Sequence, residues 1–288
     1  MPEMETRYWQ GLSLVKQLLR DTLNTPMPHM KEGISLVLTV AEITPYLKTL
    51  GQWRETIHEM NIPYDIIVIS NKENIQELEK CLQSWHGVIR ECIDTPCGVG
   101  ACLRAALPLV RHPFLLHLIL DYPYSPKDLK RMWEQIHQYD FILNKPPDIV
   151  NGCRTGITTP YWWKIVSSSW QLFWRLFSGI PMYSHNPWHG IPATILRQLC
   201  NWIFGLPLLD PFSGCKLYRS DFLKSIPIQS NDIFVHIEIA AKATFLTSII
   251  DEIYMSPQSD PVTLPKLSRL FKDFWLCFNK PQFTFEKK

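Results

Sequence analysis

The chain has 288 residues, a formal net charge of +2 and 19% charged residues. It is long enough to bury a sizeable core without disulfide or metal staples, and it carries no global field that would steer it to nucleic acid or an acidic partner. The eight cysteines (81, 92, 97, 102, 153, 200, 215 and 277) form no C-x-x-C pair, which argues against a zinc ribbon or redox motif and reads as reduced thiols in a cytosolic protein.

The opening stretch, residues 1–23, is broken by charges every few positions and reads as an amphipathic helix with Trp9, Leu12, Val15, Leu19 and Leu23 on one side. Strand-like and helix-like runs then alternate. Strands are expected at 34–40 (ISLVLTV), 64–70 (YDIIVIS), 87–92 (GVIREC) and 114–120 (FLLHLIL). Helices are expected near 44–60, 73–84, 100–110 and 126–138. Nearly continuous apolar strands suit a sheet covered on both faces, and the alternation implies parallel crossovers, hence an α/β/α sandwich. Ligands in such sheets sit beyond the carboxyl ends of the strands, where Asp121 falls.

After Arg154 the character changes. In residues 161–178, Trp163, Val166, Trp170, Phe173, Trp174 and Phe177 recur at helical spacing against Lys164, Ser167, Gln171 and Arg175, and a second such segment spans 193–209. These Trp-rich helices could pack on the sheet or lie in a lipid headgroup region. Between them His185 and His189 are four apart, but Pro187 argues against a helix presenting both to a metal. The remainder returns to mixed elements: a strand at SGCKLY, a helix around 233–244, a strand at 248–255 and an amphipathic helix near 264–278. No run reaches the roughly 18 apolar residues of a membrane span, so an integral membrane protein is not expected.

Seven fragments, in order, resemble glycosyltransferase family 2, and within it the polyprenyl-phosphate branch that includes dolichol-phosphate mannose synthase. LVLTVAEITPYL is similar to that family's opening strand and Asn-Glu turn, with Glu42 on the Glu; YDIIVISN is similar to its second strand, with Ser70 and Asn71 where paired acids are usual. GVGACLRAAL, with Gly98 and Gly100, resembles the glycine turn. FLLHLILDYPYSPKDL resembles the Asp-x-Asp strand, with Asp121 on the second acid and Ile119 in place of the first. DIVNGCR resembles the Val-x-Gly-Ser-Arg segment, with Arg154 on the arginine. DPFSGCKLYRSDFL resembles the Asp-x-x-Ser-Gly-Phe-Arg element, with Asp210, Ser213 and Gly214 in place and Lys216 for the arginine. The helix and strand that follow place Glu238, Lys242 and Glu252 on family positions.

The resemblance implies a nucleotide-diphospho-sugar transferase fold (GT-A, Rossmann-like) over residues 33–256, with an amphipathic insertion at 160–206, an N-terminal helix and linker at 1–32 and a C-terminal helix at 257–288. It implies inverting transfer of a hexose from a nucleotide-diphosphate sugar to a polyprenyl phosphate or related lipid acceptor, at the cytosolic face of a membrane. Asp121 and Asp210 are then the catalytic acids, with Asp121 on Mg²⁺ or Mn²⁺; Glu42, Ser70, Asn71 and Gly100 contact the donor; Arg154, Ser213 and Lys216 hold the acceptor phosphate. The substitutions at 70, 71 and 119 leave a second function open: a catalytically degenerate relative that binds nucleotide, lipid phosphate or a partner. Bland roles also stand beside these. Asp121 could cap the helix near Pro126, Asp210 could close a turn on Ser213, and Glu238 and Glu252 could be partners of lysines.

Overall fold

The computed structural model describes residues 32–39, 47–71, 88–93, 98–119, 124–140, 143–154, 199–206, 208–255 and 267–283. The expected helices at 1–23, 73–84 and 161–178 and the His185/His189 pair lie outside these residues.

One sheet of seven strands organises the chain: β1 (Ile34–Thr39), β2 (Tyr64–Asn71), β3 (Val88–Ile93), β4 (Phe114–Ile119), β5 (Ile149–Arg154), β6 (Cys215–Arg219) and β7 (Ile250–Met255), in the order β3-β2-β1-β4-β6-β5-β7. β1, β2, β3 and β4 run parallel, as the alternation of runs predicts, and β5 pairs parallel with β7. β5, β6 and β7, from the later half of the chain, belong to the same sheet. The departure is β6, which lies antiparallel between β4 and β5. Its composition resembles that of its neighbours, so pattern alone could not reveal its direction.

The apolar strands are buried on both faces. On one face Ile34, Leu36 and Leu38 of β1, Leu116 of β4 and Leu217 of β6 pack against Trp53 and Ile57 of α1 (Leu47–Glu59) and Met132 and Ile136 of α3 (Leu129–His137). On the other, Val37, Ile69, Leu115, Ile149 and Tyr218 pack against Leu103 and Ala106 of α2 (Val99–Ala106) and against Val235, Ile239 and Ala243 of α5 (Val235–Phe245). A two-residue side-chain period along each strand sends alternate residues to the two layers.

A short helix not anticipated from the sequence, α4 (Ser220–Ser225), follows β6 directly. Pro126–Asp128 forms a 3-10 turn ahead of α3, where a single helix from 126 was expected. α5 is buried along Val235–Ala243, because its outer side is covered by a third cluster: Cys200, Leu206 and Leu208, with Leu270 and Cys277 of α6 (Leu267–Asn279). The helix expected through 209 stops at 204, where Gly205 takes φ +63°, the left-handed conformation that commonly ends helices. The cysteines at 102, 153, 200, 215 and 277 are buried thiols.

Candidate functional site

The carboxyl ends of β1, β2, β4 and β5 gather at one edge of the sheet, and because β6 is reversed, the turn that enters it, residues 210–214, lies at that same edge. The Ile119 N–H at the end of β4 donates to the Gly214 carbonyl at 2.8 Å. The segment carrying Asp210 and Ser213 is thereby joined to the strand end that leads to residue 121. Sequence order gave no hint of this, since 94 positions separate the two.

The turn itself is closely held. Ser213 Oγ donates to the Gly152 carbonyl and lies 3.1 Å from the Tyr124 hydroxyl, which also accepts the Gly214 N–H at 2.9 Å. The Ser213 N–H closes on the Asp210 carbonyl at 3.1 Å, so Asp210 has the turn role expected of it. Asp210 is 2% exposed. Tyr124, in the DYPYSP stretch, carries no motif signal of its own in the sequence.

Lys216 is also 2% exposed, with its ammonium 2.5 Å from Asn151 Oδ1 and 3.2 Å from the Pro211 carbonyl. Its charge therefore sits under the turn. Beside it on β4, His117 is fully buried and shares a hydrogen bond with the Thr39 hydroxyl at 2.9 Å. Burial, reinforced by the Lys216 charge, pushes the imidazole down from 6.5 to about 3.

Glu252 on β7 accepts from the Leu209 N–H (2.7 Å), the Asp210 N–H (3.3 Å) and Asn151 Nδ2 (2.6 Å). Burial raises its carboxyl above the ordinary value, while these bonds and Lys216 pull the other way. Asn151 falls in the DIVNGCR segment, where nothing in the spacing marks it as a hub; cross-strand register alone makes it one.

Ser70 and Asn71 are the last two residues of β2 and pair with Cys92 and Ile93, at the same sheet edge. Arg154 is the last residue of β5. Gly98 and Gly100 have a packing reason to be glycine: a Cβ there would stand 2.3 Å from the Asn231 carbonyl oxygen and 2.4 Å from that of Ser230. Glu238 pairs with Lys242 at 2.6 Å and receives the Gln229 and Ser230 N–H groups at 2.8 Å, a structural partnership. Asp121 and Glu42 lie outside the described residues. Ile119, in place of the first acid, is buried in β4.

A hard divalent cation takes oxygen donors. Asp121 and Asp210 are carboxylates of that class, and no group of three His, Cys, Asp or Glu stands ready for a metal among the described residues. Such a cation would rest on one or two protein carboxylates and complete its shell with water and phosphate oxygens, the usual arrangement for Mg²⁺.

No protein-family model matches the chain, and no curated protein matches it in sequence. Solved structures do. A glucosyl-3-phosphoglycerate synthase from Mycobacterium tuberculosis matches with a TM-score of 0.54 at 14% identity, over 83% of this chain and 75% of that one. The enzyme of the same name in complex with Mn²⁺, UDP and phosphoglyceric acid matches with a TM-score of 0.55 at 13% identity, over 87% of this chain and 80% of that one. A third, holding Mg²⁺ and UDP, matches with a TM-score of 0.51 at 12% identity, over 83% and 74%. The fold is that of a nucleotide-diphospho-sugar transferase. In two of those neighbours the shared fold carries UDP and a divalent cation.

Proposed function

We propose that the chain is a glycosyltransferase that moves a hexose from a nucleotide-diphosphate sugar to a phosphorylated acceptor at the carboxyl edge of its sheet. The observation that carries this reading is the Ile119 to Gly214 bond, which joins the Asp210 turn to the end of β4. Residue 121 follows two positions later, within a covalent reach of about 7 Å from Ile119.

Asp121 and Asp210 would hold Mg²⁺ or Mn²⁺, which neutralises the departing diphosphate when bound. The ends of β1 and β2, with Glu42, Ser70 and Asn71, would take the nucleoside. The glycine turn at Gly98 and Gly100 would close against that side. Arg154 at the end of β5 would hold the acceptor phosphate, whose oxygen is already ionised at neutral pH and needs no general base. Ser213 and Lys216 support that role from beneath, by fixing the turn.

The resemblance to the polyprenyl-phosphate branch favours a lipid phosphate as acceptor, at the cytosolic membrane face. An outward aromatic face on α6, bearing Phe271, Trp275 and Phe278, supports contact with a membrane surface. The neighbours occur in complex with small phosphorylated molecules, phosphoglyceric acid and glycerol 3-phosphate, which supports a phosphate on the acceptor.

A second reading, a catalytically degenerate relative that binds nucleotide or lipid phosphate, is favoured by the buried Ile119 in place of an acid. Release of UDP from UDP-glucose in the presence of Mn²⁺ decides between them. The enzyme reading expects metal-dependent turnover that falls at least 100-fold in Asp121→Ala. Metal-dependent UDP binding without turnover supports the degenerate relative, and absence of such binding at millimolar UDP removes the donor site altogether.

A further inference from the structure

Strand register lines up Glu252 of β7, Asn151 of β5, Lys216 of β6 and His117 of β4 in one row across the sheet. The row shares a face with Ile149, Tyr218 and Ile250, under α5. Its first three members are tied together, Asn151 Nδ2 donating to Glu252 Oε1 at 2.6 Å and Lys216 Nζ to Asn151 Oδ1 at 2.5 Å. The backbone of residues 209–211 is docked on them in the same order. Glu252 takes the N–H groups of Leu209 and Asp210, Asn151 donates to the Asp210 carbonyl at 3.0 Å, and Lys216 donates to the Pro211 carbonyl at 3.2 Å. Three adjacent strands thus read three consecutive residues of the turn.

Glu252 is the member whose chemistry is conditional. Its two oxygens receive three N–H donors, which suits a carboxylate with no hydrogen of its own. A glutamine amide in its place would turn a donor toward a donor. Lys216, next to Asn151 and two places along the row from Glu252, supplies the compensating charge.

We propose that Glu252, acting with Asn151 and Lys216, is the positioning residue for Asp210, its two carboxyl oxygens holding the 209–211 backbone in the register from which the Asp210 carboxylate serves the donor site. This rests on the reading of Asp210 as a donor-site acid. It goes beyond that reading by assigning the site's geometry to an edge-strand residue outside it.

The test uses two measurements on the full chain: amide hydrogen exchange across 208–217 and titration with UDP in the presence of Mn²⁺. In Glu252→Gln the Leu209 and Asp210 amides should exchange at least tenfold faster while Leu217 in β6 keeps its protection. Affinity for UDP with Mn²⁺ should fall about tenfold, and adding Asp210→Asn should cost nothing further. Asn151→Ala should loosen the same amides and covers the case in which Glu252→Gln does not fold. Unchanged exchange at 209 and 210 overturns the proposal, as does a loosened turn that binds UDP and Mn²⁺ as tightly as the parent. A parent that binds no UDP with Mn²⁺ overturns the donor-site reading, and the exchange rates then decide separately whether Glu252 sets the turn.

Discussion

His117 lies fully buried on β4, with Nε2 2.9 Å from the Thr39 hydroxyl, while its Nδ1 has no hydrogen-bond partner among the described residues. Taking a proton there would place a cation in a dry site next to the Lys216 ammonium, which is why its pKa falls to about 3. In the unfolded chain the same ring titrates near 6.5, so below that pH the unfolded state binds a proton that the folded state refuses. The contribution to stability is therefore full above pH 6.5 and lost as pH falls toward 3, at roughly 1.4 kcal/mol per pH unit. Urea unfolding at pH 6.5 and pH 5 should show this residue costing the parent about 2 kcal/mol. His117→Gln, which keeps a partner for Thr39, should lose correspondingly less, and equal losses in both proteins would remove His117 from the account. At this scale sequence was a partial guide. Asp210, Ser213 and Lys216 stood out by motif, whereas His117 and Asn151 matter through what lies opposite them on the next strand, which no spacing along the chain encodes.

α5 shows how an element turns a readable pattern to an unexpected use. Glu238 and Lys242 sit four apart, a spacing ordinarily seen on a solvated helix face. Here both are buried, because α5 is covered by the sheet on one side and by α6 on the other. The pair faces the 227–230 segment: Lys242 donates to the Pro227 carbonyl, and Glu238 receives the Gln229 and Ser230 amides. That segment continues to Asn231, whose carbonyl accepts the Ala101 N–H and approaches Gly98. The ion pair thus supports the glycine turn from behind. Lys242→Met should leave a buried, uncompensated carboxylate and cost about 3–5 kcal/mol in denaturant unfolding. Lys242→Met with Glu238→Gln should recover part of that loss, since neither group then carries a charge; a single variant within about 1 kcal/mol of the parent would show the pair to be dispensable. Among the described residues the strands and the longer helices were legible from periodicity, and α4 was not. The reversal of β6 was not, because direction depends on how the chain returns to the sheet and leaves no mark on composition.

Across the whole molecule, the layered sheet followed from apolar strands that are buried on both faces, and the ordered fragments pointed to the transferase architecture that the solved structures share. The same scale exposes something the core cannot explain. On α6, Phe271, Trp275 and Phe278 form an outward stripe, with Trp275 64% exposed, while Leu270, Asp273 and Cys277 face inward. The neighbouring helical residues 199–204, joined to α6 through Phe204 and Phe274 at 5.9 Å, turn Leu199, Trp202 and Ile203 outward as well. Arg269, Lys272 and Lys280 are exposed beside the stripe, and the acid of the helix, Asp273, is buried. An aromatic face rimmed by cations is the arrangement that lies in the headgroup layer of an anionic bilayer, and no described helix is long and apolar enough to cross one. The chain should therefore co-sediment with phosphatidylserine vesicles, more weakly with phosphatidylcholine, and less at high salt. Trp202→Ser with Trp275→Ser should reduce that binding about tenfold, the size expected when two interfacial rings are withdrawn. Because both rings are exposed, the unfolding midpoint should stay where it is. Vesicle binding equal to the parent's would take these helices out of the lipid contact, and a parent that self-associates through this face, with no vesicle binding, would assign the stripe to a second copy of the chain.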